Sequence, residues 1–286
     1  MKNIPLIALI FLFSCGNPQN NFELAYKHEH KAYSERTPDF YLQLVGLFEL
    51  SPTLSNSFGL SQTNDFVITV PGTPDNIGSL EFKNDSIIFE SANNIDIKTS
   101  QGIQVDKINL SILRDRSEDL FYGRLSWRII KFGEKTYLRV RDLESDRVKT
   151  FKGFKYFEPN SEFILKGKVT MWDQPKLTTF PTALNVDQDN NVVGKVSFIY
   201  KGQEYELLMD WEYGTKFTDE TSGDETYGAG RYMRVIPDED GVVFLDFNYA
   251  WNPPCSVSEF TTCIFAPKEN HLPFKVLAGQ MAEEKN

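Results

Sequence analysis

From Val242 to Asn252 the chain alternates with a period of two. Val243, Leu245, Phe247, Tyr249 and Trp251 fall on one face and are all apolar; Phe244, Asp246, Asn248, Ala250 and Asn252 fall on the other. Only an extended strand has that repeat, and a slip of one residue would bury the polar set, so the register has little freedom. Shorter runs of the same kind recur: Leu42 to Leu50, Asp65 to Val70, Ser79 to Phe82, Ser86 to Phe89, Ile108 to Leu113, Leu125 to Lys131 and Thr136 to Arg141. Turn sequences separate them, among them Pro71-Gly72-Thr73-Pro74, Lys83-Asn84-Asp85 and Phe132-Gly133-Glu134-Lys135. A second block opens near Thr150, with a strand from Phe163 to Met171 and a proline- and asparagine-rich connection over 172–190. A hairpin of Val193 to Tyr200 and Glu204 to Trp211 then turns about Lys201-Gly202-Gln203. Spacing of this kind without intervening helices predicts a mainly β chain of two β-sandwich or barrel-like domains, over 41–149 and 150–286. One short helix over 22–36 (FELAYKHEHKAYSER), ended by Pro38, precedes them. Its His28 and His30 lie two apart and so point in different directions, which reads as a solvated face rather than a metal site. With 41% hydrophobic and 14% aromatic residues among 286, there is ample material for a core.

The first residues have a different character. Met1-Lys2-Asn3 is a short positive stretch, and Ile4 to Phe13 is apolar apart from Pro5. At about 1.5 Å per residue it is too short to span roughly 30 Å of hydrocarbon as a helix, and it reads as a signal peptide over 1–14. It ends in Leu12-Phe13-Ser14-Cys15, which resembles a bacterial lipobox, with Phe13 bulkier than usual. The resemblance implies lipidation of Cys15, a lipid bilayer as partner, and a place in the bacterial cell envelope facing periplasm or exterior. An ordinary secretory signal with a coincidental cysteine is the alternative. Residues 15–40 then form a lipidated tether, GNPQNN being its polar part, and the short helix. The formal charge is −10, and becomes −11 without residues 1–14, whose only charge is Lys2. So acidic a surface repels phosphate backbones, and nucleic acid is not expected as a partner.

With Cys15 assigned to lipid, Cys255 and Cys263 remain, and in an oxidising compartment an even pair is expected to form a disulfide. Closing so short a loop would stabilise the chain by about 2.5 kcal/mol on the chain-entropy model. A zinc shell completed by His271 is the competing reading, but there is no tight Cys-x-x-Cys pair, and no metal or cofactor is expected. Asp187-Gln188-Asp189-Asn190-Asn191 lacks the glycine and closing glutamate of a calcium loop.

Chemistry is most plausible over residues 217–279. The alternation sets Asp246, Asn248 and Asn252 in file, and a partner strand over Gly230 to Ile236 could bring Arg231 or Tyr232 alongside. Such a file could hold a carbonyl or carboxylate ligand, face solvent, or form a buried network tying the Asn252-Pro253-Pro254-Cys255 loop to the sheet. Just upstream, FTDETSGDETYGAGRY (217–232) has loop composition. The candidate catalytic residues are Asp219, Arg231, Asp246, Asn248 and Glu269. Thr226, Tyr227, Tyr232, Asn252 and Asn270 are candidates for holding a ligand.

That 217–232 segment, with Asp246-Phe247-Asn248, Asn252-Pro253-Pro254-Cys255, Thr262-Cys263 and Pro267-x-Glu269-Asn270, resembles domain of unknown function 1684, a bacterial family without an established activity. Leu44-Val45-Gly46-Leu47-Phe48, Ser57-Phe58-Gly59, Asn64-Asp65 and Leu80-Glu81-Phe82 extend the resemblance to about residues 22–280. His271 and Trp251 depart from it, standing where arginine and tyrosine are more usual. Residues 57–68 (SFGLSQTNDFVI) are also similar to the opening of a forkhead-associated β-sandwich. That implies a fold but not phosphothreonine binding, because Leu60 replaces the phosphate-reading arginine and no Ser-x-x-His follows.

Two functions follow as expectations. One is a lipid-anchored envelope module that binds a small ligand or envelope component, or is purely structural. The other is an envelope hydrolase with Asp219, Asp246 or Glu269 as general acid or base and Arg231 and Asn248 holding substrate. The second requires these residues to converge in one concave pocket.

Overall fold

The structure, a computed structural model, describes residues 26–27, 29–31, 37–83, 86–185, 187–210 and 214–283. The expected leader, Cys15, the polar tether, His28 and most of the expected helix 22–36 lie outside the described residues, as does Trp211. Within that helix, Tyr26, Lys27 and Glu29 to Lys31 are helical.

The chain is mainly β, as its alternation predicts, and none of its sheets closes into a barrel. After a single helical turn, α1 (Asp39–Leu42), ten strands follow: β1 (Leu44–Glu49), β2 (Ser57–Gly59), β3 (Phe66–Val67), β4 (Gly78–Lys83), β5 (Ser86–Ser91), β6 (Lys98–Thr99), β7 (Lys107–Leu110), β8 (Leu120–Tyr122), β9 (Leu125–Phe132) and β10 (Lys135–Asp142). They form two five-stranded sheets, ordered β1-β10-β9-β8-β6 and β3-β2-β4-β5-β7, antiparallel except where β2 meets β3. Both sheets contribute to one apolar core, centred on Phe58, Phe89 and Trp127 with ring centroids 5.5–6.0 Å apart. Burying each such ring is worth roughly 1.5–3 kcal/mol.

A short helix, α2 (Asp146–Thr150), leads to the second set of strands: β11 (Ile164–Phe180), β12 (Gln188–Tyr200), β13 (Gln203–Met209), β14 (Gly214–Asp219), β15 (Arg231–Arg234), β16 (Val242–Asp246) and β17 (His271–Leu272). A four-stranded sheet, β13-β12-β11-β16, and a three-stranded one, β15-β14-β17, share a second core that includes Phe198, Leu207, Met209, Phe217, Leu245 and Phe247.

Three expectations are corrected here. Residues 172–190 are not a long connection: Lys176 to Phe180 pair with Gln188 to Val192, and β11 and β12 form one extended ribbon. The ribbon carries an irregularity between Met171 and Lys176, where Pro175 has no N–H to give to a ladder. Its outer part, about residues 170–179 of β11, is largely solvated on both faces, so that stretch has no apolar alternation to read. Secondly, the strand opening at Val242 stops at Asp246. The Asp246 carboxylate accepts the Asn248 N–H at 3.0 Å and turns Phe247 to Tyr249 into a 3-10 turn. The alternation holds only as far as the strand does, with Val243 and Leu245 buried and Phe244 67% exposed. Thirdly, β16 pairs with β11, while Arg231 sits on β15 opposite Phe217, so Arg231 is not beside Asp246.

Candidate functional site

The residues singled out in the sequence do not gather in one place. Asp219 and Arg231 form an ion pair at 2.7 Å with both side chains fully buried. The other Asp219 oxygen accepts the Thr221 N–H at 2.8 Å, the Thr221 hydroxyl at 2.6 Å and the Val276 N–H at 3.3 Å. Arg231 donates in addition to the Val276 carbonyl at 3.0 Å and to that of Ala278. Its guanidinium stands 5.1 Å from the Phe217 ring centroid, and burial pulls its pKa down. Thr226 meets the Thr221 hydroxyl at 2.7 Å, so the loop over 217–232 closes on itself around this pair. Gly230 holds a left-handed φ of 91° at its end, where a Cβ would lie 2.5 Å from the Phe217 carbonyl.

A second group centres on Asn248, which is 1% exposed. Its amide exchanges hydrogen bonds with the Asn160 backbone, at 2.8 and 3.1 Å, and donates to Asp246 at 2.8 Å. The Tyr26 hydroxyl donates to the other Asp246 oxygen at 2.6 Å, and burial together with that carboxylate pushes the Tyr26 pKa well up. His30 Nε2 lies 2.7 Å from the Asn248 carbonyl, and its ring packs against those of Tyr156 and Tyr249. Asn270 is a buried clamp: it accepts the Leu208 N–H at 2.7 Å and donates to the carbonyls of Leu208 and Lys216 at 2.9 and 2.7 Å. Glu269 beside it is exposed. The Tyr232 hydroxyl donates to the Ile264 carbonyl at 2.6 Å.

Cys255 and Cys263 are free thiols, which corrects the expected disulfide. Cys263 Sγ accepts the Cys255 N–H at 3.1 Å, and Cys255 Sγ accepts the Tyr227 hydroxyl at 3.4 Å. The contact with the Cys263 thiol, helped by burial, raises the Cys255 pKa, while the same contact holds Cys263 below its ordinary value.

A cavity of about 580 Å³ opens where α1, the segment around Phe154 and Tyr156, and the Trp251 to Val257 loop meet. Its walls are the rings of Tyr41, Phe154, Tyr156 and Trp251 with Pro38, Pro253 and Pro254, and its polar groups are Arg234, Asn252, Ser256 and Gln280. Asn252 is 6% exposed: its N–H donates to Gln280 Oε1 at 3.0 Å and its Nδ2 to the Met281 carbonyl at 2.8 Å. Its Oδ1 is buried with no hydrogen-bond partner. A buried acceptor left without a donor costs roughly 1–3 kcal/mol, which a ligand supplying an N–H or O–H would recover. Arg234 is exposed at the mouth and has no ion pair or hydrogen bond from its side chain among the described residues. A smaller groove of about 260 Å³ continues from it past Ile236, Phe244, Asp246 and Tyr249, sharing Arg234 and Trp251.

Another cavity, about 680 Å³ beside Lys98 and Arg124, is a weaker candidate. Its charges satisfy each other, Lys98 with Asp96 at 3.0 Å and Arg124 with Asp142 at 2.6 Å. Of the pocket residues, the sequence had pointed to Asn252 alone. The alternation puts Trp251 on the core face of a strand, and Tyr41, Tyr156 and Arg234 come from segments that only the tertiary fold brings together. The Trp251-Asn252-Pro253-Pro254 run was the one local signal.

No curated protein matches this chain. A solved structure that it resembles is the solution NMR structure of an uncharacterized protein from Haloarcula marismortui. The two are 28% identical over 48% of this chain and 80% of that one, with a TM-score of 0.39. Residues 149–281, which carry Arg234, Asn252 and most of the pocket but not Pro38 or Tyr41, match the family described as Protein of unknown function (DUF1684).

Proposed function

We propose that this protein is a lipid-anchored module of the bacterial cell envelope that binds a small organic ligand in the cavity between Tyr41, Tyr156 and Trp251. The lipobox-like Leu12-Phe13-Ser14-Cys15 supports the anchor. The observation that carries the binding reading is the Asn252 Oδ1 acceptor, buried without a donor in a wall of aromatic rings. Ligand sites are typically largely apolar with a few placed polar groups, and this cavity has that composition. The similarity of residues 57–68 to a forkhead-associated sandwich is in keeping with two facing five-stranded sheets around one core.

The hydrolase alternative has less support. Asp219 is neutralised by Arg231 in the core, Asp246 is occupied by Asn248 and Tyr26, and Glu269 stands alone at the surface. No pair of these carboxylates faces a common cavity. A thermal-shift screen of small metabolites, run on wild type and on Trp251→Ala, tests the binding reading. Hits that stabilise the wild type and vanish in the folded variant support it. Hits that survive Trp251→Ala, or are lost only on Asp219→Asn, would move the site elsewhere.

A further inference from the structure

We infer that the ligand of this cavity is a small monocarboxylic acid with a planar apolar body and one N–H or O–H donor. This rests on the binding site proposed above and adds the chemical class. Among the described residues no carboxylate lines the main cavity, and the Asp246 carboxylate in the adjoining groove is already held by Tyr26 and Asn248, which disfavours a cationic ligand. Arg234 is the one charged side chain among the described residues of its wall and has no ion-pair partner among them, in a chain whose net charge is −10. A free guanidinium forks onto a planar carboxylate through two parallel N–H bonds. A phosphate dianion would meet a single arginine in an acidic surround.

The walls set the body. Four aromatic rings and three prolines offer flat apolar contact. Gln280 is committed at both ends, Oε1 to the Asn252 N–H and Nε2 to Glu283 at 3.2 Å, and Asn252 Nδ2 is committed to Met281. Asn252 Oδ1 is the buried acceptor left without a partner, and it calls for a donor on the ligand. The groove past Ile236 and Phe244 lets the apolar part vary in length.

Indole-3-acetate, indole-3-propionate and indole-3-butyrate carry all three features and serve as probes. Their binding to the intact chain is measured by titration calorimetry. Controls are indole-3-propionamide, which lacks the charge, 1-methylindole-3-propionate, which lacks the donor, and tryptamine, which reverses the charge. An acid is expected to bind about tenfold or more tightly than its amide, since a charge-assisted bidentate contact is lost. The N-methyl analogue should weaken by several-fold, as about one neutral hydrogen bond is lost to Asn252. Arg234→Gln, at an exposed position, should keep the fold by circular dichroism and bring acid and amide to equal affinity. Equal binding of acid and amide to wild type, both lost in Trp251→Ala, would overturn the carboxylate assignment while leaving the pocket in place. Binding of tryptamine in preference to the acids would also overturn it. Absence of binding by all three acids would overturn it too, and the small-metabolite screen on Trp251→Ala then decides separately whether the pocket binds anything.

Discussion

Asp219→Ala is the substitution that best separates a structural from a catalytic role for the acidic loop. The wild-type carboxylate neutralises a guanidinium with no exposed surface, and its oxygens also take two backbone N–H groups and one hydroxyl. Alanine leaves Arg231 charged in the core with only the carbonyls of Val276 and Ala278 to solvate it. Breaking one side of a buried pair in this way costs about 3–5 kcal/mol. With a urea slope of about 1–3 kcal/mol per molar, the unfolding midpoint of the core around Phe217 should fall by roughly 1–5 M. The assay is urea unfolding followed by circular dichroism and tryptophan fluorescence. Asp219→Ala combined with Arg231→Met should regain a large part of the loss, because the stranded charge goes with its partner. A single variant that loses less than about 1 kcal/mol would refute this reasoning, since no buried charge could then have been left unpaired. Should that same variant also lose a ligand or an activity while folded, the catalytic reading of Asp219 would return.

Asn270→Ala removes the acceptor for the Leu208 N–H and donors to two carbonyls, and should destabilise by about 2–3 kcal/mol in the same unfolding assay. Gly230→Ala forces a Cβ to 2.5 Å from the Phe217 carbonyl at a left-handed φ and should cost about 1–3 kcal/mol, read as a lowered melting temperature. Asp210 and Lys216 form a buried ion pair, and burial raises the pKa of Asp210 and lowers that of Lys216. Relative to the unfolded chain, the native state therefore retains a proton at Asp210 just above about pH 4 and releases one from Lys216 just below about pH 10.4. Stability should fall as pH rises through the first window and rise through the second, and Asp210→Asn should abolish the first slope in urea midpoints taken across it. Cys255 and Cys263 should both titrate with Ellman's reagent in denaturant without reductant, and in the native chain Cys263, 7% exposed, should react more slowly than the half-buried Cys255. Fewer than two reactive thiols, counted on a chain beginning at Gly16, would mean that a disulfide had closed.

The fold class was legible because strand alternation is a local property: Leu42 to Leu50 and Thr136 to Arg141 expose it and become β1 and β10. Where the environment on the two faces is alike, the signal disappears. The outer part of the β11–β12 ribbon is solvated on both sides, so its polar residues read as loop although they are fully paired. The end of β16 was hidden for another reason. Asp246 and Asn248 are compatible with a strand's polar face, and only the reach of a short carboxylate back to the Asn248 N–H turns the chain. The polar residues Asp219, Arg231, Asn248 and Asn270 stood out in the sequence because they are unusual for a core. They proved to be the groups that satisfy buried backbone. The pocket was the least legible, since its rings come from residues as distant as Tyr41 and Trp251.

The contacts of Tyr26 and His30 have a bearing on the order in which the chain can assemble. Their partners, Asp246 and Asn248, lie 220 and 218 residues further on. A chain leaving the ribosome or a translocon from its N-terminus has the whole first core, whose last residue is Val140, available long before those partners emerge. Tyr26 and His30 are therefore expected to dock only after the two five-stranded sheets have formed, once the C-terminal core supplies Asp246 and Asn248. Contacts of such long sequence separation form late and open early. Hydrogen exchange at Glu29 to Lys31 should accordingly report the integrity of a core more than two hundred residues away, and a truncation ahead of Asp246 should release that segment while leaving the first core intact.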